Sequence, residues 1–262
     1  MVGTARDIAK AKAALGEVAD AGGMSLVQLD LASLKSVRAC ADALLAYGRQ
    51  FDVVIANAGV MHVPKGMTED GFETHFGTNY IGHFVLINRI LPLLKPGARV
   101  VNLTSWGHNY SDVDLDDLNC DLGVYDEHAA YGRSKTANIL FAVEFDRRHR
   151  DKGIRATATH PGGIATELYR HMDPVFVAQL TAVPEGGKAI LPKSLSQGIA
   201  THIWAGFVAP ADEVGGRYCE DCHVAEVVDS GDVFFGVRDY AVNRERAREL
   251  WARAERLVGE TY

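Results

Sequence analysis

Cysteine is scarce in this chain of 262 residues: four, at positions 40, 120, 219 and 222, too few for the disulfide framework of a small secreted domain. A basic excess is missing as well. Thirty-four acids against 27 bases leave a formal charge of −7, without the cationic footprint of a nucleic-acid binder. Apolar runs such as 53–56 and 84–87 stop far short of the ~18 residues of a membrane helix. Residues 1–20 alternate charge and alanine and hold no apolar segment of the signal-peptide kind. No G-x-S-x-G elbow marks a hydrolase, and no repeat, low-complexity tract or linker divides the chain. The expectation is a cytoplasmic protein with neither a nucleic-acid partner nor a membrane span. At ~150 residues per domain the length allows one large domain or two small ones. With no linker, the reading is a single domain over residues 1–262, large enough to bury its core without a staple.

Short β-branched runs alternate with longer helical stretches, the pattern of βαβ units around a parallel sheet. A strand is expected over 24–29, then a helix capped by Ser33 with Leu34, Val37, Ala41, Leu44 and Leu45 at helical spacing. Residues 51–56 read as a strand covered on both faces. A long helix follows over 68–94, with Phe72, Phe76, Phe84, Ile87 and Leu91 along one side, stopped by Pro96-Gly97. Further strands fall at 98–103 and 154–159, a helix at 128–152, and another at 194–207. Residues 167–192 are weakly periodic and read as a lid of short helices. Residues 217–228 supply a last strand and an irregular arm. The stretch 243–258 reads as a surface helix with Leu250, Trp251, Ala254 and Leu257 on one face.

Four polar positions sit where such a fold places its ligands, beyond the carboxyl end of a strand or on a helix lining that crevice. Asn57-Ala58-Gly59 ends one strand, and Ser105 follows the next. Asn79 lies inside the long helix, in N-Y-I-G. Tyr131 and Lys135 form a Y-x-x-x-K pair, four apart and so on one helix face. A lone Y-x-x-x-K occurs by chance in many helices. The ordered set N-A-G, N-x-x-G, S and Y-x-x-x-K resembles the short-chain dehydrogenase/reductase family. T-A-R-D at 4–7, G-F-E-T-H-F at 71–76 and A-Y-G-R-S-K-T-A-N at 130–138 are most similar to its branch of retinol dehydrogenases and protochlorophyllide reductases. The resemblance runs from about residue 2 to residue 259.

That resemblance implies a Rossmann-type, doubly wound parallel sheet. It also implies an NADP-dependent oxidoreductase that interconverts an alcohol and a carbonyl by hydride transfer. Tyr131 would move the proton. A free tyrosine titrates near 10, and Lys135, one turn away, would favour the phenolate. Ser105 would polarise the reacting oxygen, and Asn79 would anchor a water feeding Lys135. Asn57, Ala58 and Gly59 would line the cofactor, and Tyr131 and Lys135 would meet its nicotinamide ribose. Asp30-Leu31 resembles the position that meets the adenine. Pro161, Gly162, Ile164 and Thr166 fall in a P-G-x-x-x-T loop that would hold the carboxamide. Residues 2–5 resemble the end of the second strand, where Arg6 would accommodate a 2′-phosphate. NADP is favoured over NAD on that ground, with Asp7 beside it as a counter-signal.

The family opens with a first strand and a T-G-x-x-x-G-x-G turn that seats the pyrophosphate on a helix N-terminus. Nothing here matches it. Gly22-Gly23 and Gly186-Gly187-Lys188 are the nearest candidates, and neither follows a strand and opens a helix. The expectation is that a first βα unit of about 30 residues is missing, a start placed too far downstream being favoured over a true truncation. NADP binding would then be weak or absent. The alternative is a catalytically impaired member acting as an interaction or oligomerisation module. A homo-oligomer is expected through the apolar faces of helices 68–94 and 128–152.

Cys219-x-x-Cys222-His223 matches a haem-attachment string, but such attachment needs export, and no second cysteine pair completes a zinc site. No metal is expected, only two reduced thiols near the last strand. Trp106, Tyr110, Leu168, Tyr169, Met172, Val175 and Phe176 fall in the segments that form the substrate mouth of the family. They point either to a lipophilic or bulky substrate or to ordinary lid packing.

Overall fold

The computed structural model describes residues 1–20, 23–172, 192–229 and 235–262. Gly22, most of the 167–192 lid with Val175 and Phe176, and Gly186-Gly187-Lys188 lie outside the described residues. Among the described residues two sheets are formed. β1 (Val2–Ala5) and β2 (Ser25–Gln28) pair in parallel, with Val2 opposite Ser25. β3 (Phe51–Ala56), β4 (Leu94–Leu103), β5 (Arg155–His160) and β6 (Tyr218–Glu220) follow in parallel, and β7 (His223–Val224) closes the edge antiparallel to β6. Parallel pairing needs crossovers, and helices supply them: α1 (Ile8–Leu15), α2 (Leu34–Tyr47), α3 (Gly82–Arg89), α4 (Glu127–His149) and α5 (Leu195–Ile203), with α6 (Arg244–Val258) closing the chain. This is a Rossmann-type α/β fold.

Among the described residues no strand links β1 to β3, so an edge of each sheet that a continuous sheet would pair is open. Burial reflects it. No described residue before Leu29 is buried, and Ile55 on β3 is 40% exposed. The expectation that 51–56 is covered on both faces therefore fails, because the face carrying Ile55 is only partly overlaid.

Local chemistry explains most boundaries. Ser33 caps α2 by accepting from the Ser36 N–H, and Gly48, at φ 67°, ends it in the left-handed region. Leu45 stays outside, while Leu34, Val37, Ala41 and Leu44 are buried. The stretch 68–94 is not one helix. It begins with a Met67–Glu73 bridge, turns through a π-helical segment (Phe76–Ile81), continues as α3 and ends in a 3-10 turn (Leu91–Leu93). Pro92, rather than Pro96, stops the helix, because its ring excludes the carbonyl four residues back. Pro96-Gly97 instead lies in β4 where the register slips: Phe51 faces Leu94, but Val53 faces Arg99.

The C-terminal helix forms where expected, but its apolar face is core rather than surface. α6 buries Ala247, Leu250, Trp251, Ala254 and Val258, with Val258 in the place given to Leu257, which is 45% exposed. Trp251 packs edge-on to Phe84 of α3 at 4.9 Å and lies parallel to Phe141 of α4. Part of the apolar faces assigned above to a partner copy, at Phe84 and Phe141, is thus covered by the chain's own last helix.

Candidate active site

Tyr131 and Lys135 occupy the first turns of α4, which Asp126 caps by accepting from the His128 and Ala129 amides. Both are buried, and the Lys135 Nζ lies 5.6 Å from the Tyr131 ring centre. The helix is clamped to the end of β4. Thr104 Oγ1 donates to the Lys135 carbonyl at 2.8 Å, and Asn138 Nδ2 and Lys135 Nζ donate to the Leu103 carbonyl at 3.0 and 3.3 Å. Ser105 begins the next turn, its hydroxyl accepting from the Gly107 N–H at 3.0 Å. A Cβ on Gly107 would sit 2.6 Å from Tyr131 Cε1, so the tyrosine ring rests on the Ser105–Gly107 turn only because that residue is glycine.

Burial raises the Tyr131 phenol above its ordinary value, and the Ser105 hydroxyl opposes the rise. Burial also pulls Lys135 down to about 8. The ammonium does not deliver the lowered phenol expected from spacing. In a site this dry, desolvation disfavours both charges at once.

Asn79 sits in the π-helical segment, a local irregularity often found at functional sites. Its Oδ1 accepts from the Val60 N–H at 2.8 Å, and its Nδ2 donates to the Val60 carbonyl and to Ser134 Oγ, both at 2.9 Å. Both amide hydrogens are thereby committed to holding the turn after Asn57-Ala58-Gly59 against α4. Gly59 permits this: a Cβ there would lie 2.7 Å from Asn79 Oδ1 and 3.7 Å from Lys135 Nζ. The next step of the chain joins the two sheets. A Cβ on Gly82 would lie 2.5 Å from the Leu31 carbonyl oxygen, while His83 Nε2 donates to the Ala58 carbonyl at 2.9 Å. Burial lowers His83 to about 4, so it is neutral.

Several supporting residues carried no sequence signal of their own. His75 Nε2 accepts from the Val63 N–H at 3.2 Å, so Nδ1 carries the proton and donates to Glu73 Oε1 at 2.8 Å. Glu73, fully buried, also accepts from the Phe76 N–H and the Tyr125 hydroxyl. This network pins the loop that carries His62, whose φ is 49° and whose ring stands edge-on to Tyr131 at 5.5 Å. Glu73 and His75 entered above only as letters of G-F-E-T-H-F. Beneath Ser105, His108 Nδ1 donates to the Ser105 carbonyl at 2.8 Å while Nε2 accepts from the Arg238 N–H at 3.2 Å.

The remaining expected positions lie around this centre. Arg6 is exposed, and Asp7 caps α1 by accepting from the Lys10 N–H at 3.0 Å. Asp30 Oδ1 accepts from the Ala32 N–H at 3.0 Å, and Leu31 is buried. In the loop after β5, Gly162 has φ 87° and lies under Lys193, which pairs with Asp221. Ile164 packs on Gly198 of α5, and Thr166 accepts from the Leu168 N–H to start a short turn. Met61, Tyr131 and Met172 form an apolar cluster with Tyr110, Leu168 and Tyr169 against it, and Trp106 meets Tyr110 edge-on at 5.4 Å. Met61 was not expected there. The Cys219–Cys222 string is a hairpin: Asp221 and Cys222, at φ 44° and 59°, turn β6 into β7. Its cysteines are free thiols, Cys219 buried and Cys222 exposed. Among the described residues no group of three or more acidic, histidine or cysteine side chains could hold a metal, and no helix is long and apolar enough to cross a membrane.

A serine, tyrosine and lysine gathered at the carboxyl ends of Rossmann-type strands define a dehydrogenase/reductase class of site, and comparison with known proteins agrees. A family model described as Enoyl-(Acyl carrier protein) reductase matches residues 1–186. The short-chain dehydrogenase/reductase prx1 of Penicillium rubens is 39% identical over 253 residues, covering 94% of this chain and 74% of that protein. Retinol dehydrogenase 14 of Mus musculus is 36% identical over 270 residues, covering 97% and 77%. The NADP complex of RhlG from Pseudomonas aeruginosa shares the fold, with a TM-score of 0.62 and 22% identity over 84% of this chain and 83% of that one. The chain belongs to the short-chain dehydrogenase/reductase family of oxidoreductases.

Proposed function

We propose that this chain is the catalytic body of an NADP-dependent oxidoreductase that interconverts a lipophilic alcohol and its carbonyl, with Tyr131 as the proton-transfer residue. One observation carries the reading: Tyr131 rests on the Ser105–Gly107 turn, with Lys135 one helical turn on, and opens onto the Met61–Met172 cluster. Asn57-Ala58-Gly59, Lys135 and the 161–166 loop would hold the nicotinamide end of the cofactor. No glycine-rich turn in the sequence supplies a pyrophosphate cradle. Arg6, exposed at the end of β1, and the commitment of Asp7 to its helix cap support NADP over NAD. So does the NADP bound to the RhlG relative.

When bound, the reduced cofactor would supply hydride to the carbonyl carbon. The chain's own residues supply the rest. Ser105 Oγ accepts from Gly107 N–H and its hydroxyl is hydrogen-bonded to Tyr131, so a substrate oxygen entering between the two would take the serine proton in place of the phenol. Tyr131 is neutral at pH 7 because burial raises its phenol, so Oη holds the proton that the developing alkoxide takes. Met61, Met172 and Tyr169 exclude water and contact the apolar body of the substrate.

The test uses the chain extended ahead of Met1 by a glycine-rich strand–turn–helix, with a long-chain aldehyde and NADPH. Tyr131→Phe is expected to lower turnover by about 10²–10⁴-fold with NADPH binding retained. Near-normal turnover in that variant overturns the assignment.

A further inference from the structure

At the opposite end of α4 from Tyr131, a cavity of about 480 Å³ opens among the last turns of α4, the starts of β5 and β6, and the first turns of α6. Asp146 on its wall lies fifteen residues past Tyr131, roughly 22 Å along the helix. It sits at the amino ends of the parallel strands, away from the carboxyl ends where an open α/β sheet binds its ligands.

Its lining is unusual for a protein of formal charge −7: six arginines against two aspartates, with Arg150 paired outside the lining to Asp151 at 4.0 Å. Both aspartates are committed to one arginine, Arg155, with Asp146 at 2.8 Å and Asp212 on the other side. Arg147 is neutralised from outside the cavity by Glu144 at 2.6 Å. Arg217, Arg244 and Arg248 make no ion pair and no side-chain hydrogen bond among the described residues. Arg244 opens α6, so the positive end of that helix faces the same space. The remaining wall carries Val143, Val224, Val227, Val237 and Val242 beside Tyr218 and small residues.

We propose that this cavity binds a phosphate monoester carried on an aliphatic chain. Three free guanidinium groups suit a dianion that accepts paired N–H donors. The valines suit the tail, and the volume falls in the range of small-molecule sites. The site is separate from the catalytic cleft, and its occupancy does not depend on the activity proposed above.

Calorimetric titration of the 262-residue chain with octyl phosphate tests it, against inorganic phosphate and octanol as the two halves of the ligand. Octyl phosphate is expected to bind at least about tenfold more tightly than either half, and Arg244→Glu/Arg248→Glu to weaken it at least about tenfold. Both positions are exposed, and an acid in the first turn of α6 favours the helix, so circular dichroism should match the parent. Should that pair fail to fold, Arg217→Gln reads the same site with a smaller loss. Octanol binding as tightly as octyl phosphate overturns the proposal. Inorganic phosphate binding as tightly, an adventitious ion only, overturns it as well. So does full affinity in the arginine variants, which would put the ligand in the apolar cleft beside Tyr131. Binding only to phosphatidate-containing vesicles, with none of the soluble ester, overturns it in favour of a lipid surface.

Discussion

Trp251 of α6 lies flat against Phe141 of α4, the ring centres 5.7 Å apart and the planes 9° from parallel. Arg148 also lies over the indole, its guanidinium carbon 4.4 Å from the ring centre. Truncation of so large a buried ring leaves a cavity. Trp251→Ala is expected to lose about 3–5 kcal/mol in urea unfolding. It also uncovers Phe84 and Phe141, so the variant should self-associate more than the parent in sedimentation. Loss of less than about 1 kcal/mol would mean that α6 contributes little to the fold.

Acid should weaken the protein early. His62, His83, His108 and His202 are lowered to about 4 and His160 to about 3, all chiefly by burial. Unfolded histidine titrates near 6.5. Between pH 6.5 and about 4 the unfolded chain therefore binds protons that the folded one refuses. Stability is full above that window and falls as pH drops through it, by up to about 1.4 kcal/mol per pH unit for each histidine. Urea unfolding across this range should show an uptake of several protons. His202→Gln, at a site whose Nδ1 has no partner, should remove about one of them. A flat profile would contradict the burial of these rings.

Cofactor should not stabilise the chain. A ligand raises the melting temperature only as far as it binds the folded state, by RT ln(1 + [L]/Kd). The sequence has no glycine-rich turn to seat a pyrophosphate. Millimolar NADPH is expected to leave the thermal melt of the 262 residues unmoved. A clear upward shift would reveal a pyrophosphate site built from other residues.

Asn79→Ala is expected to destabilise by about 1–3 kcal/mol. The substitution strands the Val60 amide and carbonyl and removes a partner of Ser134. A side chain whose whole task was to hold a catalytic water would lower turnover and leave the unfolding midpoint in place.

The strand–helix alternation was legible because it rests on local spacing. β3 reads out at 51–56 and α2 starts at its serine cap, as expected. Tyr131, Lys135 and Ser105 were legible because a helical turn and a strand end fix their neighbourhood. The long helix at 68–94 was not. A π-helical turn at Phe76–Ile81 shifts the apolar rhythm without breaking it, and Pro92 hides among leucines. The raised Tyr131 phenol was missed because spacing reports the proximity of Lys135 and says nothing of how dry the site is. The Glu73–His75 network was missed because its partners, Val63 and Tyr125, come from separate loops. The arginine cavity needs α4, β6 and α6 to meet, and no window of sequence contains all three.

The split between β1 and β3 carries a kinetic consequence. The β1–α1–β2 layer holds no buried side chain before Leu29 among the described residues, and its strands share ladder bonds only with each other. Little cooperativity ties it to the five-stranded sheet, so it should open as a separate unit well below the free energy of global unfolding. Amides of Thr4 and Val27 would exchange with solvent deuterium long before those of Val100 and Ala156. Among the described residues, a protease acting on the native protein would cut that layer before the five-stranded sheet.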